Sequence, residues 1–341
     1  VSCLDMQLIE ATSKESVEAI NTFQEIKYCP GGSCPQVSTM LASLGYKNVV
    51  AITKVGKDSN CKELIKQMSK EGVDCSRMIV DSDVQTALAV LPIYSGTGGR
   101  GCFVNLAANT RFFHSEILQS LKNFKNHDAA IFHFGYPHIT PQIQGKNLES
   151  LFIGVKEILD GPLTSLDLNG VDSNDSKEKH FDVLGPALRY VDFLHANIEE
   201  AECITGCAKG DFVNAAKWFI DKGVAIVAIT MGGKGAYIEV TSSIDRMNQS
   251  KELSKRAQKW KGLSQNFPSY PLKIPNINSN GAGDSFVAGF LSSFLRDSLI
   301  SFEDASKLAL LCATRKILGI KDEWRMMQIV AIEKQVKDFQ S

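Results

Sequence analysis

The sequence is short of several features, and each absence excludes a class of protein. No apolar run approaches the roughly 20 residues that a membrane-crossing helix needs. Charge of one sign is missing too: 37 Lys and Arg stand against 38 Asp and Glu, a formal charge of −1. Without a basic block, the chain is not expected to bind nucleic acid or a membrane surface. There is no Gly-x-x-x-x-Gly-Lys-Ser/Thr sequence, so this is not a P-loop enzyme. The nine cysteines are odd in number and include no Cys-x-x-Cys. Cys29/Cys34 and Cys203/Cys207 are the closest pairs, and no His cluster with zinc-ligand spacing accompanies them. They read as reduced, mostly buried thiols of a cytoplasmic protein. No signal-peptide pattern and no internal repeat are found, and the sequons at Asn174 and Asn248 are patterns that chance supplies. The opening Val1-Ser-Cys-Leu-Asp5 has no initiator Met and reads as the inside of a strand, which leaves room for residues upstream.

What is present is an ordinary globular composition, 44% hydrophobic and 22% charged. Short β-branched runs recur at 49–55, 129–134, 163–168, 191–195 and 224–230. Each is continuous and bounded by polar residues, as in strands buried on both faces of a parallel sheet. Helical patterns lie between them at 36–44, 61–71, 147–159 and 212–222. Repeated strand–helix units predict a large α/β fold built from βαβ units, in one large domain or two smaller ones. Two regions break that rhythm. Residues 86–94 and 101–106 flank a glycine-rich turn and predict an antiparallel hairpin. Gly96-x-Gly98-x-x-Gly101 inside it matches the dinucleotide fingerprint in letters only, because a strand and not a helix follows. Residues 242–269, rich in Lys, Gln and Ser, read as a surface excursion.

The most informative stretch is Asn278-Ser-Asn280-Gly-Ala-Gly-Asp284. Phe286, Val287, Phe290, Leu291, Phe294 and Leu295 follow at helical spacing, so a small-residue loop feeds a helix N-terminus. Main-chain N–H groups of such a loop, with the helix dipole, attract phosphate oxygens. Asp284 stands in the first turn, where the same dipole favours its ionised form. The bland reading is an N-cap aspartate after a flexible turn.

Other elements accompany it in order: Gly31-Gly32 near the start, Gly56-Lys57-Asp58 after a strand, Asn197-Ile-Glu-Glu200 at the end of another, and Thr230-Met-Gly232-Gly-Lys-Gly235 at the end of a third. In this order, from Asp5 to about Lys316, the chain resembles the ribokinase-like (pfkB) family of carbohydrate kinases. The resemblance implies a doubly wound, mostly parallel sheet flanked by helices in a single domain over 1–341, with a small antiparallel β lid, here at about 5–30 and 86–106. It implies Asp284 as catalytic base and Asn280, Gly281, Ala282 and Gly283 as the anion hole. Asp5, Gly31, Gly32 and Asn109 match acceptor-binding positions. Asn197, Glu200, Thr230, Gly232 and Gly235 match positions that bind ATP, with Mg²⁺ organised through water near Glu200 and no direct protein ligand. Some members pair through the lid, so a monomer or a homodimer is expected.

The implied chemistry is coherent. A sugar hydroxyl is a poor nucleophile, and a carboxylate within hydrogen-bond reach can take its proton as the new P–O bond forms. Donors of the anion hole offset charge on the transferring group. Several positions depart from the family pattern. Asn278-Ser279 replace the usual Asp-Thr, which weakens the expectation of K⁺ activation. Gln36 stands where Asn is expected, Val171 where many members carry Arg, and residues 319–327 lack the usual Gly-Ala pattern. The first reading is an ATP-dependent kinase of a primary sugar hydroxyl. The alternatives are a nucleoside kinase such as one for adenosine, faintly supported by Asn105-Leu-Ala-Ala-Asn109, and a sugar- or nucleotide-binding regulator with attenuated catalysis. Among the six histidines, His133, His138 and His195 sit at strand ends and read as structural, with His138 placed to line a cleft.

Overall fold

The structure, a computed structural model, describes residues 1–13, 18–94, 100–122, 124, 129–272, 278–296 and 300–319. Gly96 and Gly98 of the hairpin turn, and the stretch beyond Gly319, fall outside these residues. The chain divides into two compact units. Unit 1 comprises Val1–Thr110, Leu272–Ser285 and Cys312–Ser341; unit 2 comprises Arg111–Pro271 and Phe286–Leu311.

Unit 1 is built on β1 (Cys3–Ala11), β2 (Glu25–Gly31), α1 (Ser33–Ser43), β3 (Lys54–Gly56), α2 (Ser59–Lys70), β4 (Ile79–Asp81), β5 (Leu88–Tyr94) and β6 (Phe103–Asn105). Its four-stranded sheet runs in the order β2-β1-β5-β6. The outer pairs are antiparallel, while β1 and β5 run parallel. Of the expected strand at 49–55, only its end is regular: β3 pairs in parallel with β4, and Val50 makes a lone bridge to Asp74. The run is apolar because Ala51 and Val55 pack with Leu64 and Met68 of α2, which packing in a loop satisfies as well as a strand does. Asp58 caps α2 by accepting from the Cys61 N–H at 2.9 Å, and it also accepts from the Thr86 N–H at 2.7 Å.

Unit 2 follows with α3 (His114–Lys122), β7 (Ile131–Gly135), α4 (Lys146–Ile158), β8 (Leu163–Asp167), α5 (Lys177–Leu184), β9 (Phe193–Asn197), α6 (Ile198–Thr205), α7 (Phe212–Asp221), β10 (Ile226–Thr230), β11 (Ala236–Val240), the single turns α8 (Ile244–Met247), α9 (Lys251–Ser254) and α10 (Ala257–Trp260), and β12 (Ser264–Phe267). Its sheet is ordered β12-β11-β10-β9-β8-β7. The strands β7 to β10 are parallel and β11 and β12 are antiparallel. Leu163, Leu166, Phe193, Leu194, Ala196 and the residues 226–229 are buried, as strands covered on both faces require. Parallel order brings the carboxyl ends of β8, β9 and β10 to one edge.

The segment 242–269 lies largely at the surface but is anchored in the core. Met247, Leu253, Arg256, Ala257 and Trp260 are buried. The Arg256 guanidinium donates to the carbonyls of Glu252, Ser293 and Phe294, and Arg246 donates to Asp192. Its polar composition hides that anchor because these charged groups are buried with partners. Two long helices, α11 (Ala282–Arg296) and α12 (Phe302–Leu318), complete the fold. Phe286, Val287, Phe290, Leu291 and Phe294 of α11 are buried, as their spacing predicts, while Leu295, expected on the same face, is exposed. Among the described residues no helix is long and apolar enough to cross a membrane.

Candidate active site

In unit 1 the loop before α11 is tied to β1 at two points. Asn278 donates to Gln7 Oε1 at 3.3 Å, and Asn280 donates to Asp5 Oδ2 at 3.0 Å. The Asn280 N–H is turned back to Asn278 Oδ1, and the Ala282 N–H to the Ser279 carbonyl, each at 3.1 Å. That narrows the expected anion donors of the loop to the amides of Gly281 and Gly283. Gly281 has φ 75°. A side chain there would run into Gln36 Oε1 and Lys316 Cε, so the position needs glycine on both counts. Asp284 is in the first turn of α11 and only 5% exposed.

Asp5 is 4% exposed. Burial pushes its carboxyl above the usual aspartate value, while hydrogen bonds from Asn280 and Cys3 and the charges of Arg100 and Lys316 pull the other way. Gly31 ends β2, and a Cβ on it would overlap the Asp5 carboxylate; Gly32 follows with φ 80°. Gly31 thus lets the backbone come close to Asp5, while a side chain on Gly32 would strike the Val1 carbonyl. Gln36, the departure noted in sequence, bridges two elements: its Nε2 donates to the Pro30 carbonyl at 2.7 Å, and its Oε1 accepts from Lys316 Nζ at 2.9 Å. Asn109 is buried with its amide paired to the main chain of Ser2, donating to the carbonyl at 2.9 Å and accepting from the N–H at 3.1 Å. Those bonds fasten the turn at 107–111 to the start of β1.

The remaining predicted residues gather in unit 2, at the carboxyl ends of β9 and β10. Asn197 and Glu200 form a capping box at the start of α6: Asn197 Oδ1 accepts from the Glu200 N–H at 2.8 Å, and Glu200 Oε2 accepts from the Asn197 N–H at 2.9 Å. Burial pushes the Glu200 carboxyl up to about 8, against the Asn197 N–H that it accepts; the nearby Asp167 raises it further and His195 opposes. Thr230 ends β10 and opens the turn over Gly232–Lys234. Gly232, at φ 54°, and Gly233 face open space where a Cβ would stand, so a ligand could approach their backbone. Gly235 serves the turn: its N–H donates to the Gly232 carbonyl at 3.0 Å, and a side chain on it would strike the Phe267 carbonyl.

One feature of this edge has no counterpart in the predicted set. His195 Nδ1 lies 2.5 Å from Asp167 Oδ1, and its Nε2 lies 3.2 Å from Thr230 Oγ1. His195 reads as structural in sequence, and only its place two residues before Asn197 hints at the site. His138, placed by sequence beside a cleft, is packed edge-on against His180 at 5.2 Å between ring centroids. Burial lowers the His138 pKa to about 4, so its ring is neutral at pH 7.

Residues 2–319 match the family model described as pfkB family carbohydrate kinase. The chain belongs to this family and is an ATP-dependent phosphotransferase. Among curated proteins it is similar to ribokinase of Haemophilus influenzae, 25% identical over 83% of this chain and 79% of that one. It is also similar to cytidine kinase of Thermococcus kodakarensis, 26% identical over 86% of this chain and 90% of the relative. Among solved structures, Arabidopsis thaliana ribokinase complexed with ribose and ATP shares the fold with a TM-score of 0.69, at 18% identity, over 98% of this chain and 96% of that one.

Proposed function

We propose that the protein transfers the γ-phosphoryl group of ATP to a primary hydroxyl of a small sugar, with Asp284 as general base. The observation that carries this is in unit 1: a buried aspartate stands in the first turn of α11 directly after Gly281-Ala282-Gly283, and Asn280 just before them donates to a second buried carboxylate, Asp5. Asp5 would accept from acceptor hydroxyls and orient the reactive one. Asp284 would take its proton as the P–O bond forms. The amides of Gly281 and Gly283 would donate to oxygens of the transferring group, fixed in place before the charge develops. Asn197, Glu200, Thr230 and Gly232 are the residues of unit 2 that would hold the nucleotide.

Among the described residues no group of three or more His, Cys, Asp or Glu could hold a metal ion. A divalent ion would be held near Glu200 through water, and when bound it would neutralise polyphosphate charge. Free thiols throughout support a cytosolic setting.

The deciding experiment is Asp284→Asn, assayed for ADP release across a panel of sugars and nucleosides with and without K⁺. Loss of the base lowers turnover by about 10²–10⁴-fold while ATP still raises the melting temperature. Near-normal turnover would remove Asp284 from this role. A nucleoside acceptor is the second reading, supported by the likeness to cytidine kinase over most of both chains. Preference for nucleosides in the same panel would select it, and saturable binding with no ADP from any acceptor would select a regulator.

A further inference from the structure

We propose that Asp167 and His195 are positioning residues that fix the hydroxyl of Thr230 at the nucleotide-phosphate turn; the proposal rests on the reading of Thr230 as a nucleotide contact. The three residues come from adjacent parallel strands. Asp167 ends β8 and stands opposite His195 of β9, so both side chains leave the same face of the sheet. The partner of His195 in β10 is Ala228, which makes Thr230 its diagonal neighbour on that face. The result is a hydrogen-bonded chain of Asp167 Oδ1, His195 Nδ1, His195 Nε2 and Thr230 Oγ1, with spacings of 2.5 Å and 3.2 Å.

The order of donors follows from the chemistry of the groups. At 2.5 Å from a carboxylate oxygen, His195 Nδ1 is the donor and Asp167 Oδ1 the acceptor. That bond fixes the plane of the imidazole, and the Phe286 ring at 5.4 Å packs against it. Nε2 is thereby aimed at Thr230; when it also carries a proton it donates to Oγ1, and the threonine O–H is left to donate to a phosphate oxygen. A threonine hydroxyl with no partner would sample its staggered rotamers, whereas one bonded to a fixed ring holds a single direction. Thr230 is the last residue of β10, immediately before the turn whose Gly232 and Gly233 leave open space beside the backbone. The direction of its hydroxyl therefore decides what a ligand at that turn meets.

A purely structural role accounts poorly for the pair. Asp167 and His195 are 2% and 4% exposed, while their neighbours Leu166, Leu194, Ala196, Ala228 and Ile229 are wholly buried and apolar. An apolar pair of similar volume would stabilise the sheet at least as well as a buried polar pair does. What the apolar pair could not do is orient Thr230.

The test is a double-mutant cycle on the full chain, with His195→Asn and Thr230→Val read by KM for ATP, kcat and the Kd of ADP by calorimetry. Each single variant should weaken nucleotide binding by about tenfold, the scale of one hydrogen bond to a charged group, with acceptor KM unchanged. The double variant should be no worse than either single one. Thr230→Ser should behave as wild type and should become sensitive to His195→Asn. Asp167→Asn, which removes the anchor of the ring, should repeat the effect of His195→Asn and serves if that variant does not fold. Multiplying effects in the cycle, or unchanged nucleotide affinity in both His195→Asn and Asp167→Asn, would overturn the proposal and leave the kinase reading intact. A wild-type protein that binds neither ATP nor ADP would overturn both.

Discussion

The side-chain amide of Asn280 donates to Oδ2 of Asp5 at 3.0 Å across 275 positions of sequence. The loop expected to receive the transferring phosphoryl group and the carboxylate expected to grip the acceptor are therefore one hydrogen-bonded assembly within unit 1. Asn280→Ala should cost about 1.5–3 kcal/mol in kcat/KM for the acceptor, the worth of a hydrogen bond to a charged group. Asn280→Asp should be worse, because two carboxylates would face each other. Steady-state kinetics with the best acceptor decide it, and a change seen only in KM for ATP would contradict the assignment.

Gly31→Ala is expected to damage acceptor binding more than it damages the fold. Its Cβ would overlap the Asp5 carboxylate, which must swing away and give up Asn280. Overpacking of this kind costs typically about 1–3 kcal/mol in stability. The kinetic signature is a raised acceptor KM with ATP binding retained, measured by kinetics beside ADP calorimetry. Loss of ADP affinity in a folded variant would argue against the separation of roles.

Glu200 should make stability depend on pH in a direction opposite to most carboxylates. Its pKa is about 8 in the folded protein against an ordinary value of 4.5. The folded state therefore keeps a proton that the unfolded chain gives up. The contribution of this group is fully present below pH 4.5 and is lost as pH rises through about 8. Glu200→Gln retains a capping-box residue and has no proton to lose. Its melting temperature, relative to wild type, should rise steadily between pH 5 and pH 8. A constant difference across that range would mean that Glu200 is ionised throughout.

Much of this was legible in the sequence, and the parts that were not share a physical cause. The parallel strands of unit 2 and the loop at 278–284 are local signals: continuous apolar runs, or a helix start in consecutive residues. Long-range polar pairing leaves no such trace. Gln36 reads as a departure from the family pattern, while the Lys316 it bonds lies 280 positions away and carries no motif. Asp167 and His195 are 28 positions apart and meet only because β8 and β9 are in register. The run at 49–55 misleads in the opposite sense, since burial makes a segment apolar whether or not it forms a ladder.

The polar segment 242–269 is the sharpest case, and it yields a prediction about folding. Asp192 is 0% exposed and accepts from Arg246 Nη1 at 2.7 Å, from Lys156 Nζ at 2.8 Å and from Thr164 at both its N–H and its hydroxyl. Arg246 also donates to the carbonyls of Val191 and Gly223, so one side chain from α8 binds the amino-terminal approach to β9 and the turn before β10. Removing it leaves a buried carboxylate short of a partner and two carbonyls unsatisfied, which costs about 3–5 kcal/mol. Arg246→Met should therefore lower the urea midpoint sharply, followed by the fluorescence of Trp260, which is buried in the same segment. Lys255→Met, an exposed change in that segment, should stay within about 0.5 kcal/mol. Equal and small effects of the two substitutions would mean that the segment is held by its apolar residues alone and that the charge on Asp192 is satisfied without α8.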